Sequence, residues 1–279
     1  MISVIVPVLN GGPDLFGQLS ALAAQVTCEP WEVIISDNGS TDGTVEMAQD
    51  WCSTHSKFHF VDASAVAGAA AARNAGVAQA SGEYLAFCDA DDVVLPGWLD
   101  ACVEALHLAD VGAGYFDFGL LNAFDQSQSS SEGFRPLGFL PAGLGANLAV
   151  RRGPFGAVGG FDEQFTPVGD DTDLCWRLQL AGYGFIKIHD ALVAKRSRTT
   201  FREVFHQSSV FGQAGPLLYR RYRVDGLRRN FRKTMKAWAW LILEMPMIFQ
   251  PKRRFEWARG SGIRIGRIKG SWRHRVFFP

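Results

Sequence analysis

Apolar residues in the first hundred positions alternate between two spacings. Ser3–Val8 is a short β-branched run ending in the turn Asn10-Gly11-Gly12-Pro13, and it reads as a buried parallel strand. Leu15–Val26 carries its apolar residues at helical spacing. Glu32–Ser36 repeats the strand pattern, and Asp37–Gly43 the polar turn; Thr41 or Asp42 can cap the helix that runs to Trp51. His59–Asp62 is a weaker strand, Ala67–Ala80 an Ala-rich helix, Glu83–Cys88 a further strand and Pro96–Leu106 a further helix. This rhythm predicts an α/β domain with a mixed, mainly parallel sheet flanked by helices. Ligands of such sheets bind beyond the C-terminal strand ends, which brings Asn10, Asp37 and Asp89–Asp92 together.

Past residue 110 the pattern loosens. Asp125–Glu132 is a polar tract that reads as a loop, and Thr172–Ala181 returns to helical spacing with Gly182 as its stop. The last 85 residues are basic, aromatic and expected to be helical, and no internal repeat is present.

Composition changes this picture in one respect. The 279 residues carry no net charge, and 47% hydrophobic content excludes disorder. The zero conceals a division. Residues 1–194 hold 7 Lys and Arg against 24 Asp and Glu, a balance of −17, and residues 195–279 reverse it to +17. Basic clusters flank Ala237–Phe249, an apolar stretch too short to span a bilayer but suited to its surface. Each Lys or Arg near an anionic surface contributes about 1 kcal/mol, and Trp238, Trp240 and Phe249 favour the interface. Pairing of these arginines with the acidic half is the competing use. Basic charge with aromatics also fits nucleic acid, the runner-up to a membrane surface, but no recognition motif is present, so no nucleic-acid partner is expected. Five cysteines without a Cys-x-x-Cys pair argue against a disulfide framework or structural zinc, and no secretory leader is seen. The expected location is cytoplasmic, on the inner face of the cell membrane.

Four groups of residues carry candidate chemistry. Asp89-Ala90-Asp91-Asp92 sets three carboxylates at a strand end, which suits Mg²⁺ or Mn²⁺ against a diphosphate; the competing use is a helix cap and turn. Asp37 suits a base or ribose, or closes an Asx-turn. Arg73 stands in an Ala-rich helix where it can reach a diphosphate, and it is one of only seven basic residues in the first 194. Gly169-Asp170-Asp171-Thr172-Asp173 places acids at a helix start, where one can cap and another serve as a general base. Trp176 and Arg177 suit either an acceptor site or packing, and neither His189 nor His206 is given a catalytic role.

In order, these segments resemble glycosyltransferase family 2, which has the GT-A fold. The matching pieces are Ser3–Asn10, Glu32–Thr44, Ala72–Gly76, Ser81–Asp92, Gly145–Arg152, Gly159–Glu163 and Asp170–Leu178. The resemblance covers about residues 1–222, the expected catalytic domain, and leaves 223–279 as a basic amphipathic helical extension. It implies a UDP-, GDP- or dTDP-sugar donor held by Pro7, Val8, Asn10, Asp37, Arg73, Asp89 and Ala90. Asp91 would bind the metal, and Asp171 would deprotonate a hydroxyl of a glycan or lipid-linked acceptor with inversion. Gly145, Asn147, Asp170 and Trp176 would meet the acceptor. Two residues depart from the family pattern. Asp170 stands where a Glu is usual, and Ala194 precedes the basic run where many relatives carry a metal-binding His. A nucleotidyltransferase is disfavoured because Gly11-Gly12-Pro13 lacks a basic residue. A non-catalytic relative is disfavoured because Asp91 and Asp171 are both present.

Overall fold

The computed structural model describes residues 1–122 and 134–278; the tract Asp125–Glu132 lies outside the described residues. The chain forms two compact units. The first contains residues 1–136, 140–166 and 170–197, and the second residues 137–139, 167–169 and 198–279.

An eight-stranded sheet organises the first unit. Its strands are β1 (Ile2–Val8), β2 (Trp31–Asp37), β3 (Phe58–Asp62), β4 (Tyr84–Cys88), β5 (Val93–Val94), β6 (Val111–Asp117), β7 (Asn147–Arg151) and β8 (Phe185–Ala194). They lie in the order β3-β2-β1-β4-β7-β6-β8-β5. The first four are mutually parallel, β7 runs antiparallel to β4 and β6, and β8 is parallel to β6. Helices α1 (Gly12–Ala23), α2 (Thr44–Thr54), α3 (Ala69–Gln79), α4 (Trp98–Leu108), α5 (Arg152–Ala157) and α6 (Asp170–Leu180) flank the sheet. The mixed, helix-flanked α/β sheet is the expected architecture.

The apolar runs become strands because both sheet faces are covered. Val4, Val6, Val33, Ile35 and Ala86 are fully buried together with Leu15, Leu19 and Leu22 of α1. Helix α1 starts three residues before its first apolar position because Pro13 presets the first turn. Gly182, at φ +91°, follows the end of α6 in the left-handed region.

Strands β6 and β8 were not legible in the periodicity. β6 reads Val-Gly-Ala-Gly-Tyr-Phe-Asp, and its glycines weaken any strand signal. Packing requires them. A Cβ on Gly114 would collide with the Asn147 side chain and the Ala191 carbonyl, and one on Gly112 with Ile188.

The second unit is helical: α7 (Phe201–Tyr222), α8 (Phe231–Leu243) and α9 (Pro251–Arg273). Helix α7, which the sequence reading counts with the catalytic part, groups here with the C-terminal helices. Gly262, Gly266 and Gly270 recur every fourth residue and so share one face of α9. A Cβ on Gly266 would strike the Ser209 carbonyl of α7, and one on Gly270 the Gln213 carbonyl at 2.7 Å. Close backbone approach therefore holds these helices together. Among the described residues, no helix is long and apolar enough to cross a membrane.

Candidate active site

Parallel β1, β2 and β4 end at one edge of the sheet, and the polar residues after them meet there. The Val8 carbonyl, just beyond Pro7, accepts the Asn38 N–H at 2.8 Å. Asn10 joins the next turn, its Oδ1 accepting the Thr41 N–H and its own N–H donating to Ser40 Oγ, both at 2.8 Å. Asp37 Oδ2 accepts the N–H groups of Gly39 and Ser40 at 2.9 Å each, which is the Asx-turn. Its Oδ1 is buried with no hydrogen-bond partner among the described residues, an acceptor that suits a ligand N–H or hydroxyl. The turn and a ligand role therefore use different oxygens of one carboxylate.

Arg73 is the centre of the site. Helix α3 reaches it through Ala70, Ala71 and Ala72, all buried on the sheet, and the side chain is only 6% exposed. Nη1 donates to Asp170 Oδ2 at 2.8 Å and Nη2 to Asp89 Oδ1 at 3.0 Å. Burial opposes the guanidinium charge, but Asp170 and Asp89 outweigh it and hold Arg73 above its ordinary pKa. Gly145 lies against the guanidinium so closely that a Cβ there would stand 2.8 Å from Cζ. The Gly145 N–H donates to Asp171 Oδ2 at 3.1 Å, and the Thr172 N–H to Asp171 Oδ1 at 2.6 Å. A continuous line therefore runs from Asp171 through Gly145 and Arg73 to Asp89. Burial, and then the neighbouring Asp170 charge, push the partly buried Asp171 carboxyl up to about 6.

Beyond β4, carboxylate oxygens of Asp89, Asp91 and Asp92 all lie within 4.8 Å of one another. This oxygen-only set fits a hard divalent ion. Gln18 of α1 holds the turn from behind, donating to the Asp89 carbonyl at 3.1 Å and accepting from the Val94 N–H at 2.9 Å. Ala90 is buried there. The end of β8 crosses the same turn. Lys195 Nζ lies 2.6 Å from Asp92 Oδ2 and 3.7 Å from Asp89 Oδ2. Burial disfavours this ammonium, but Asp89 and Asp92 outweigh it and hold Lys195 above the usual lysine pKa. The Arg196 N–H donates to Asp92 Oδ1 at 3.0 Å, and its guanidinium pairs with Asp14 at 2.9 Å. Lys195 and Arg196, which open the basic run after 194, therefore pair with acids of their own unit.

Sequence reasoning missed Gln18, Lys195 and Arg196. The signal for Gln18 was a polar residue inside the Leu15, Leu19, Leu22 stripe; the other two have no local signal, because only the β5–β8 pairing brings them to the turn. Three expected acceptor contacts need correction. Asn147 is 1% exposed, and its side chain is used up on Trp98 Nε1 and the carbonyls of Tyr115 and Ala191, at 2.9 Å each. Trp176 is fully buried, with its indole N–H on the Leu140 carbonyl at 3.0 Å. Asp170 is buried and turned to Arg73. Asn147 and Trp176 are buried packing residues, and Asp170 fixes the arginine. Gly145, the fourth, stands beside both Arg73 and Asp171. Arg177 is likewise structural, bonding Asp173 and the carbonyls of Val158 and Gly160.

Comparison with known proteins places this geometry in context. The family model "Glycosyl transferase family 2" matches residues 3–135, and "Glycosyl transferase family group 2" matches residues 84–272. The uncharacterized glycosyltransferase YibD of Escherichia coli is 41% identical over 95 residues, 34% of this chain and 27% of YibD. Glycosyltransferase AglE of Haloferax volcanii is 27% identical over 238 residues, 82% of this chain and 77% of AglE. The chain thus spans about a quarter of one of these relatives and about three quarters of the other. Among solved structures, mannosyltransferase PcManGT from Pyrobaculum calidifontis, in complex with GDP-Man and Mn²⁺, shares the fold with a TM-score of 0.70 at 18% identity, over 98% of this chain and 87% of that one.

Proposed function

The chain belongs to glycosyltransferase family 2 and is a glycosyltransferase; from that premise we propose that it transfers a sugar from a UDP-, GDP- or dTDP-linked donor to a hydroxyl of a glycan or lipid-linked acceptor, with inversion. The observation that carries this reading is the line Asp171–Gly145–Arg73–Asp89, which puts a carboxylate with a pKa of about 6 beside the one buried arginine at the strand ends. PcManGT, with the same fold, binds GDP-Man and Mn²⁺. Asp37 Oδ1 and the turn at Asn10 receive the nucleoside, with Pro7 and Val8 beneath it. Arg73 faces the diphosphate, and Asp89 and Ala90 shape its floor.

Asp171 takes the proton of the acceptor hydroxyl. The freed oxygen forms its bond to the anomeric carbon from the side opposite the diphosphate, the bond to the diphosphate oxygen breaks, and its electron pair leaves with that oxygen. A pKa near 6 leaves the base ionised at neutral pH while keeping it basic enough to act. Arg73 stabilises the charge that develops on the leaving group. A bound Mg²⁺ or Mn²⁺, held at Asp91, supplies further stabilisation of that charge. Asp171→Asn tests the assignment: nucleotide binding is retained, and transfer falls by a factor on the order of 10²–10⁴. Transfer near the native rate would remove Asp171 from the role.

The second unit supports attachment to an anionic membrane surface at the cytoplasmic face. Thr234 and Leu241 form the inward side of α8, while Phe231, Met235, Trp238, Ile242, Met245 and Phe249 are exposed at helical spacing, Phe249 by 89%. Arg228, Arg232, Lys233 and Arg254 surround this stripe with exposed cations. Flotation with phosphatidylglycerol vesicles checks it: replacing Met235, Trp238 and Ile242 by Ser releases the full-length chain, and unchanged flotation would overturn the surface.

A further inference from the structure

Three acids in four residues raise a question of charge that Asp89–Asp92 answers from within the chain. Asp92 is 1% exposed, and a carboxylate that deep requires a partner. Its Oδ2 has the Lys195 ammonium at 2.6 Å, and its Oδ1 has the Arg196 N–H. Asp89 faces a cation on each oxygen, Arg73 at 3.0 Å and Lys195 at 3.7 Å. The lysine is not a loose surface group reaching in. It follows β8 directly, where Val193 and Ala194 pair with Val94 and Val93, two residues past the acidic turn. Its carbonyl accepts from Asn122 at 2.7 Å, its N–H donates to the Asp117 carbonyl, and its ammonium lies over the Phe116 ring, 5.3 Å from the centroid. The backbone is therefore fixed on both sides of the ammonium.

We propose that Lys195 is a resident cation of the donor site. Its ammonium supplies, within the Asp89–Asp91–Asp92 cluster, part of the positive charge that a divalent ion supplies there, and the two compete electrostatically for the same carboxylates. This rests on the reading of the cluster as the diphosphate end of a nucleotide-sugar site. Two like charges a few ångströms apart in a partly buried site repel each other, with little screening by solvent. A fixed ammonium therefore weakens divalent binding to the empty cluster while remaining able to meet a diphosphate oxygen itself. The donor then binds with a reduced requirement for the ion. The residue also explains why Ala194, which has no ligating atom, is tolerated at the end of β8: the cluster's added charge comes from the next residue along.

The test uses the full-length chain and Mn²⁺ alone, followed by electron paramagnetic resonance of the free ion. Lys195→Met removes the charge at similar length, and Lys195→Gln keeps an N–H donor for Asp92 while adding neither a charge nor a strong metal ligand, so that one folded variant suffices; circular dichroism checks each. Mn²⁺ is expected to bind the variant at least tenfold more tightly than the native chain, and affinities equal within twofold would overturn the proposal. In a second arm, calorimetry follows UDP, GDP and dTDP with Mn²⁺ or with EDTA. Native binding that persists in EDTA, weakened less than tenfold, and is lost in Lys195→Met under EDTA supports the resident cation. Binding abolished by EDTA in the native chain opposes it. If no nucleotide binds under either condition, the donor reading fails, and the Mn²⁺ arm still decides the role of Lys195.

Discussion

The two units handle charge in opposite ways. In the first, the decisive charges are largely buried and each meets an opposite charge: Arg73 with Asp170 and Asp89, Lys195 with Asp92, Arg177 with Asp173. In the second, 19 Lys and Arg accompany 4 Asp and Glu, and one of its ion pairs, Arg253 with Glu244, is largely exposed. Buried pairs fix positions, because removing one member strands the other; exposed like charges fix nothing locally but build a field that acts on an outside partner. The division at residue 194 read from composition therefore misplaces two residues that matter. Lys195 and Arg196 belong to the first unit, which changes the balance between the units from 17 to 15 charges of either sign.

The largest test of that contrast removes one arginine from each unit. Arg73→Met strands Asp170 and Asp89 and is expected to cost about 3–5 kcal/mol in urea unfolding, together with nucleotide binding. Arg232→Met, on the exposed face of the basic unit, is expected to change stability by less than about 0.5 kcal/mol. Equal costs would mean that the two units do not differ in how they use charge.

A second test turns on glycine. In the helical unit, Gly266→Ala drives a Cβ into the Ser209 carbonyl and is expected to cost about 1–3 kcal/mol. In the first unit, Gly156 lies in α5 with open space around it, and Gly156→Ala is expected to stabilise by about 0.4–1 kcal/mol through the unfolded chain. Thermal unfolding distinguishes these outcomes by sign. A Gly266→Ala chain as stable as the native one would show that close packing does not hold α7 to α9.

These contrasts also mark what the sequence could reveal. The β1-to-β4 half was legible because β-branched runs, turn residues and helical spacing agree there, and those elements carry Asn10, Asp37, Arg73 and Asp89 to one edge. The β6–β8 half was not, since Gly112 and Gly114 serve packing across strands that are distant in sequence. The same non-local pairing hid Lys195, and it turned Asn147 and Trp176 inward, where a polar or aromatic residue in a motif had suggested contact with the acceptor. The α9 glycines follow a four-residue spacing that is visible in hindsight, but only the facing carbonyls of α7 give that spacing its reason.

The last contrast concerns Asp171, where the first unit departs from its own rule. Its neighbours compensate its charge only in part: burial and Asp170 outweigh the Gly145 and Thr172 N–H groups and Arg73, and raise the carboxyl to about 6, against an ordinary value near 3.8. A carboxyl whose folded pKa is raised binds its proton more tightly in the native state. Ionisation therefore destabilises the fold, with no effect below the ordinary value and the full effect above about 6. Asp171→Asn, which keeps an acceptor for the Gly145 N–H, is expected to stabilise the chain by up to about 3 kcal/mol at pH 8. The gain should shrink through pH 6 and vanish by pH 4. In the native enzyme, kcat/KM is expected to fall tenfold per pH unit below about 6, as the base becomes protonated. Denaturant titrations of both chains at pH 4, 6 and 8 measure the first effect, and a pH–rate profile measures the second. A stability difference that does not vary with pH would show that Asp171 is compensated like its neighbours, and it would take away the physical basis for its role as the base.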